Sequence, residues 1–320
     1  MLTHAITGPQ AWSAASLGAA DWTVPIPEDC LEELRRVLRH IRAHPLPMLL
    51  RTPDELELDA CRMLMRRVGD QLENGTMFAV LDRLPVEEMS LEESTTLYWL
   101  LSSLLARPVA QKLDGTMTYL VRDTGAVLKP GSGIRPTVTN VELNFHNDNS
   151  YNETPPEIVG LLCRSQAREG GQSRVVSVYS VHNRLLQRAP ELLERLYRPF
   201  WYDRHREYFD GEANTFAAPI FAHEHRLTAR LALLEIHGGY ALRGETPDQE
   251  SLAALEEVHA VLAEPDLPVA LRFEPGQIQY VNNRSTGHSR TAFIDGDRPE
   301  EKRLLVRLWL RNRGRRSYRG

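Results

Sequence analysis

Apolar residues recur at helical spacing early in the chain and at strand spacing later. Over residues 27–44, Leu31, Leu34, Val37, Leu38 and Ile41 fall on one helical face. Thr52-Pro-Asp-Glu55 has the form of a capping box with proline at the first helical position, and predicts a helix running to about Leu72. Ser90-Leu-Glu-Glu93 is a second capping box, placed just before the apolar run 97–105. Between these two, residues 77–81 form a short apolar piece of strand length.

From about residue 118 the pattern changes to short apolar pieces separated by Gly, Pro and Asn. Strands are predicted at 117–122, 137–145, 158–163, 173–179, 199–202, 269–273, 278–281 and 304–310, with helices near 180–197 and 248–263. The fold class is therefore mostly β with appended helices, a sandwich or barrel buttressed from the front. No repeat or linker forces a division, so residues 1–320 are expected to form one domain. Within it, a mainly helical extension (1–115) packs on a β core (116–312).

Composition narrows the function classes. The chain has 320 residues, 42% of them hydrophobic and 25% charged, as an ordinary globular protein does. A net charge of −5 and a pI near 6.1 give no electrostatic reason to expect nucleic acid, and the basic residues of 311–319 read as a solvated tail. No apolar run is long enough to span a membrane, and the first twenty residues lack the basic and apolar blocks of a secretory leader. Cys30, Cys61 and Cys163 are odd in number and widely spaced, which favours a reducing, cytoplasmic setting with no disulfide framework. Nothing in the chain fixes an oligomeric state.

The candidate chemistry centres on Asn144-Phe-His146-Asn-Asp148, at the end of an apolar strand. Alternate strand residues share a face, so His146 and Asp148 are expected to project together. One imidazole beside one carboxylate is two-thirds of a facial triad, which holds Fe(II) on one side and leaves positions open for cosubstrate and O₂. A third ligand has to come from a distant strand, and His288, after the strand-like 277–281 run, is the candidate. His223, His225 and His237 compete, but no Cys or carboxylate accompanies them at a spacing that completes a site. After His288, the segment Arg303-Leu-Leu-Val-Arg307-Leu-Trp-Leu alternates as a strand, with Arg303 and Arg307 on the face opposite Leu304, Val306 and Leu308. Arginines on an interior face need anions, and a guanidinium fork suits a carboxylate.

Taken together these residues resemble the TauD/TfdA family of Fe(II)/2-oxoglutarate dioxygenases, near the branch of clavaminate synthase and γ-butyrobetaine hydroxylase. The motifs stand in family order: Phe145-His146-Asn-Asp148, Gly170-Gly171-Gln-Ser173, Asn282-Asn-Arg284 with His288-Ser-Arg290-Thr-Ala-Phe293, and Arg303-x-x-x-Arg307. The match covers roughly residues 118–312. It implies a double-stranded β-helix, the jelly-roll, cupin-like core, with His146, Asp148 and His288 as iron ligands. It further implies Arg303, helped by Ser173, on the far carboxylate of 2-oxoglutarate, and Arg307 near cosubstrate or a substrate anion. Relatives that halogenate lack the carboxylate ligand, so Asp148 points to hydroxylation of an unactivated C–H bond in a small polar metabolite. Succinate and CO₂ would be the coproducts. Desaturation, epimerisation or cyclisation at the same iron, or a jelly roll that binds metal without turnover, are the alternatives. Asn144, Ser150, Arg290 and Arg307 are the candidate substrate contacts, Arg290 being equally placed for the cosubstrate.

Overall fold

The chain builds two β-sheets on either side of a shared apolar layer, with helices packed outside both. The structure is a computed structural model that describes residues 1–127 and 136–319. The large sheet runs β1 (Thr23–Pro25), β2 (Phe78–Asp82), β14 (Ile278–Asn282), β6 (Ile158–Ser165), β17 (Leu304–Leu310) and β3 (Pro108–Val109), with β4 (Thr118–Val121) also paired to β17. Only its β1–β2 pairing is parallel among these ladders. The small sheet is antiparallel, in the order β13 (Val269–Leu271), β8 (Ser173–Ser177), β15 (Thr286–Arg290), β5 (Leu143–His146). A short ribbon joins β7 (Glu169–Gly170) to β16 (Phe293–Ile294).

Strand alternation decides which layer each residue enters. From β17, Val306, Leu308 and Leu310 pack with the helices α1 (Glu28–Ala43), α2 (Asp59–Asn74) and α3 (Leu91–Ser103). From the same strand Leu305 and Trp309 enter the layer between the sheets, beside Val175, Val269 and Leu271. Arg303 and Arg307 therefore face the interior between the sheets, where both are buried. A third apolar cluster holds α4 (Val178–Arg188), α5 (Pro190–Leu196), α6 (Leu233–Leu242) and α7 (Gln249–Leu262). Packed with them are two hairpins, β9 (Pro199–Asp203) with β10 (Thr215–Pro219), and β11 (Phe221–His223) with β12 (Leu227–Ala229).

Several sequence expectations change in detail. The Thr52 capping box opens only the single turn Pro53–Glu55; α2 begins at Asp59. Its N-terminus is capped from outside, because the Glu33 carboxylate of α1 accepts the N–H groups of Ala60 and Cys61, both at 2.9 Å. The piece expected as a strand over 137–145 contains a short turn at Pro136–Val138, and the strand starts only at Leu143. The helix expected over 180–197 breaks at Ala189–Pro190, since proline cannot donate to the preceding turn. The helical first 115 residues also supply β1, β2 and β3 to the large sheet. Among the described residues no helix is long and apolar enough to cross a membrane.

Candidate metal centre and active site

The register of the small sheet brings the two motifs together. In the β5–β15 pairing, His288 lies directly opposite His146, and their rings stand 4.3 Å apart between centroids. Asp148 joins them by another route than the one expected from alternation. The strand stops at His146, and the following turn is held by Asn283, whose Oδ1 accepts the Asp148 N–H at 2.8 Å while its Nδ2 donates to the Asp148 carbonyl at 2.9 Å. Asn147 points away from the site, donating to the Thr286 carbonyl at 2.5 Å and accepting from Leu231 N–H at 2.7 Å. Two asparagine side chains thus replace the ladder that a longer strand would have supplied.

The three donor groups converge. His146 Nε2 and His288 Nε2 lie 3.5 Å and 3.8 Å from Asp148 Oδ1. Among the described residues this is the one cluster of three or more such side chains whose ligand atoms lie within 4.8 Å of one another. The remaining atoms are arranged as a metal centre requires. His146 Nδ1 sits 2.9 Å from the Asn144 carbonyl, a contact that puts the proton on Nδ1 and leaves the Nε2 lone pair facing inward. Asp148 Oδ2 accepts the Trp309 indole N–H at 2.7 Å and pairs with Arg307 Nη1 at 3.1 Å, which leaves Oδ1 to face the histidines. Burial pushes the Asp148 carboxyl up, but the Arg307 charge and the His146 contact outweigh it and hold the group well below the usual carboxylate range. Burial, and then the neighbouring His146, pull His288 down to about 3, so it is neutral and free to donate a lone pair. Its outer nitrogen, Nδ1, has no partner among the described residues. Two imidazoles and one carboxylate are a donor set that fits Fe(II).

The cavity beside these groups is lined by Val121, Leu143, Leu161, Phe273 and Leu305 together with Ser173, Arg290, Arg303 and Arg307. Arg303 is buried, and its Nη1 has no hydrogen-bond partner among the described residues. Ser173 is buried as well and donates to Gln279 Oε1 at 3.2 Å. Arg307 lines the cavity and, besides pairing with Asp148, donates from Nε to Gln111 Oε1 at 2.8 Å. Asn144 is exposed and does not line the cavity. Ser150 is fully buried and donates to the Asn147 carbonyl at 3.0 Å, finishing the turn after the strand. His223, His225 and His237 are exposed and belong to no such cluster among the described residues. Trp309, Gln111, Asn283 and Gln279 escaped the sequence reading; Trp309 alone carried a signal, as the residue that continues the interior face of Arg303 and Arg307.

The class that this fold and site define is a dioxygenase with a candidate metal centre of two histidines and one carboxylate. The sequence profile of the taurine catabolism dioxygenase TauD, TfdA family matches residues 53–309, and the chain belongs to that family. It is 30% identical over 324 residues to FR-33289 synthase of Streptomyces rubellomurinus, a match covering 99% of this chain and 94% of that protein. To the taurine hydroxylase-like protein SAT17 of Stachybotrys chartarum it is 27% identical over 174 residues, 52% of this chain and 41% of that one. Among solved structures, asparagine oxygenase with Fe(II), 2S,3S-3-hydroxyasparagine and succinate superposes with a TM-score of 0.66 at 22% identity, covering 90% and 93% of the two chains. The non-heme iron oxygenase OrfP with Fe and alpha-ketoglutaric acid gives 0.66 at 12% identity, covering 91% and 94%. These last two likenesses are of fold.

Proposed function

We propose that this chain hydroxylates an unactivated C–H bond of a small polar metabolite, an amino acid or a natural-product intermediate, at an iron held by His146, Asp148 and His288. The observation that carries the assignment is the convergence of His146 Nε2, His288 Nε2 and Asp148 Oδ1 beside the buried guanidinium of Arg303, whose Nη1 has no partner among the described residues. The bound metal would supply O₂ activation, coupled to conversion of 2-oxoglutarate into succinate and CO₂. The chain's own residues do the rest. Asn144 orients His146 through its carbonyl, while Trp309 and Arg307 restrain Asp148. Arg303, with Ser173, holds the far carboxylate of the cosubstrate. The apolar lining keeps water from the reacting centre.

The two facing sheets support reading the core as a double-stranded β-helix, with residues 1–115 working as part of the same unit. The branch near clavaminate synthase rests on the motifs. The cytoplasmic setting rests on cysteine usage, all three thiols being free and buried. The names of the relatives direct the substrate search to amino acids, guanidino amino acids and taurine-like sulfonates. With Fe(II), O₂ and 2-oxoglutarate, one of these should raise succinate formation above the substrate-free rate and yield a product heavier by one oxygen. A protein that binds neither iron nor 2-oxoglutarate would refute the proposal.

A further inference from the structure

By its sequence position Arg290, the second arginine of the distal motif and two residues after His288, can serve cosubstrate or substrate. In the β15–β8 ladder Arg290 stands directly opposite Ser173, so their side chains leave adjacent strands side by side on one face. Arg303 reaches the same place from the other sheet. The Cζ atoms of Arg290 and Arg303 lie 4.8 Å and 5.3 Å from the Phe293 ring centre, and all three polar side chains line the one cavity. Gly171, at φ +68°, makes room for the arrangement, since a Cβ there would come within 3.1 Å of Arg303 Cδ and Nε.

The donors in this corner lack acceptors. Arg290 is 4% exposed and anchors Nη2 on the carbonyls of Thr139, at 3.1 Å, and Val141. Its Nε and Nη1 are buried with no partner among the described residues, as are Arg303 Nη1 and Gln279 Nε2, the latter beside Ser173. Asp123 and Asp295 offset part of the Arg290 and Arg303 charges without hydrogen-bonding the orphaned N–H groups, which still call for an acceptor in this buried corner. Asp148 is already matched by Arg307.

We infer that Arg290 and Arg303 form a two-guanidinium clamp, completed by Ser173, for the far carboxylate of 2-oxoglutarate. Arg290 is thus a cosubstrate residue. The inference rests on the iron and cosubstrate assignment proposed above. Such a clamp selects a 2-oxo diacid over a 2-oxo monoacid, because only the diacid presents a second carboxylate to the orphaned N–H groups.

The test needs no primary substrate. Mn(II)-loaded wild-type protein, Arg290→Gln, Arg290→Lys and Arg303→Gln would be titrated calorimetrically without O₂, first with 2-oxoglutarate and then with 2-oxobutyrate, which keeps the chelating end and lacks the far carboxylate. Thermal unfolding would confirm that each variant is folded. The clamp predicts that Arg290→Gln weakens 2-oxoglutarate binding roughly 10- to 100-fold, with Arg290→Lys in between, and leaves 2-oxobutyrate within about twofold. An unchanged 2-oxoglutarate affinity in Arg290→Gln, with the expected loss in Arg303→Gln, would overturn the clamp and leave the cosubstrate assignment standing. Equal weakening for both acids would also overturn it, by showing that Arg290 shapes the site in general. Wild-type protein that takes up Mn(II) and binds neither acid would instead strike down the underlying assignment.

Discussion

Replacing Trp309 by Phe removes the hydrogen bond to the carboxylate ligand, along with part of a buried ring that also faces Arg307, and so probes how that ligand is held. The indole N–H donates to Asp148 Oδ2 at 2.7 Å in a site where both residues are buried. The ring itself stacks on Tyr318 with centroids 6.1 Å apart, a contact that phenylalanine largely keeps. A hydrogen bond to a buried charged acceptor is worth about 1.5–3 kcal/mol, since no water can replace it. Without it Asp148 keeps only Arg307 on that oxygen and is free to rotate. Loss of an outer partner of a metal ligand costs roughly 10- to 100-fold in metal affinity. Anaerobic Fe(II) titration of wild type and Trp309→Phe, followed by competition with a chelator, measures this directly. An affinity within about twofold of wild type, in a variant that unfolds at the wild-type temperature, would refute the idea that Trp309 orients the ligand.

Other expectations concern the scaffold. Glu33→Ala removes both acceptors that cap α2 and should cost about 2–3 kcal/mol, read as a lower denaturation midpoint with activity per folded molecule unchanged. His182, fully buried against Tyr197, is pulled down to about 4 by burial and then by the His223 charge. Below about 6.5 the unfolded chain takes up a proton that the folded one refuses until about pH 4, so stability falls as pH drops through that window. The loss between pH 7 and 5 should be about 2 kcal/mol, and His182→Gln should remove that part of the slope in urea unfolding. An unaltered slope would show that other groups set the acid limit.

The chain displayed its site more openly than its architecture. His146, Asp148, His288 and the interior face of Arg303 and Arg307 were legible because family motifs and strand alternation are local properties. Where a prediction depended on what another segment supplies, local reading failed. The Thr52 box has the right residues, yet the cap that starts α2 comes from Glu33, 26 residues before Asp59. The strand β15, which carries His288, contains Thr, Gly, His, Ser and Arg and has no apolar alternation; it is a strand because β8 and β5 pair with it on both sides. The helix α6 was not predicted, and it contains the pair Gly238 and Gly239. These glycines allow a close approach, since a Cβ on Gly239 would lie 2.3 Å from the Trp201 carbonyl oxygen. Arg307 shows the same limit at the site. Its face was predicted, but its partner, the carboxylate of Asp148 159 residues earlier, is visible only in the folded chain.

The central claim is that His146, Asp148 and His288 hold iron and that 2-oxoglutarate chelates it. Mixing the purified protein with Fe(II) and 2-oxoglutarate in the absence of O₂ should produce the weak visible charge-transfer band of that chelate. The band should vanish in His146→Ala and require far more 2-oxoglutarate in Arg303→Ala. A folded wild-type protein that retains iron and shows no band, or a band that survives His146→Ala unchanged, would contradict the account.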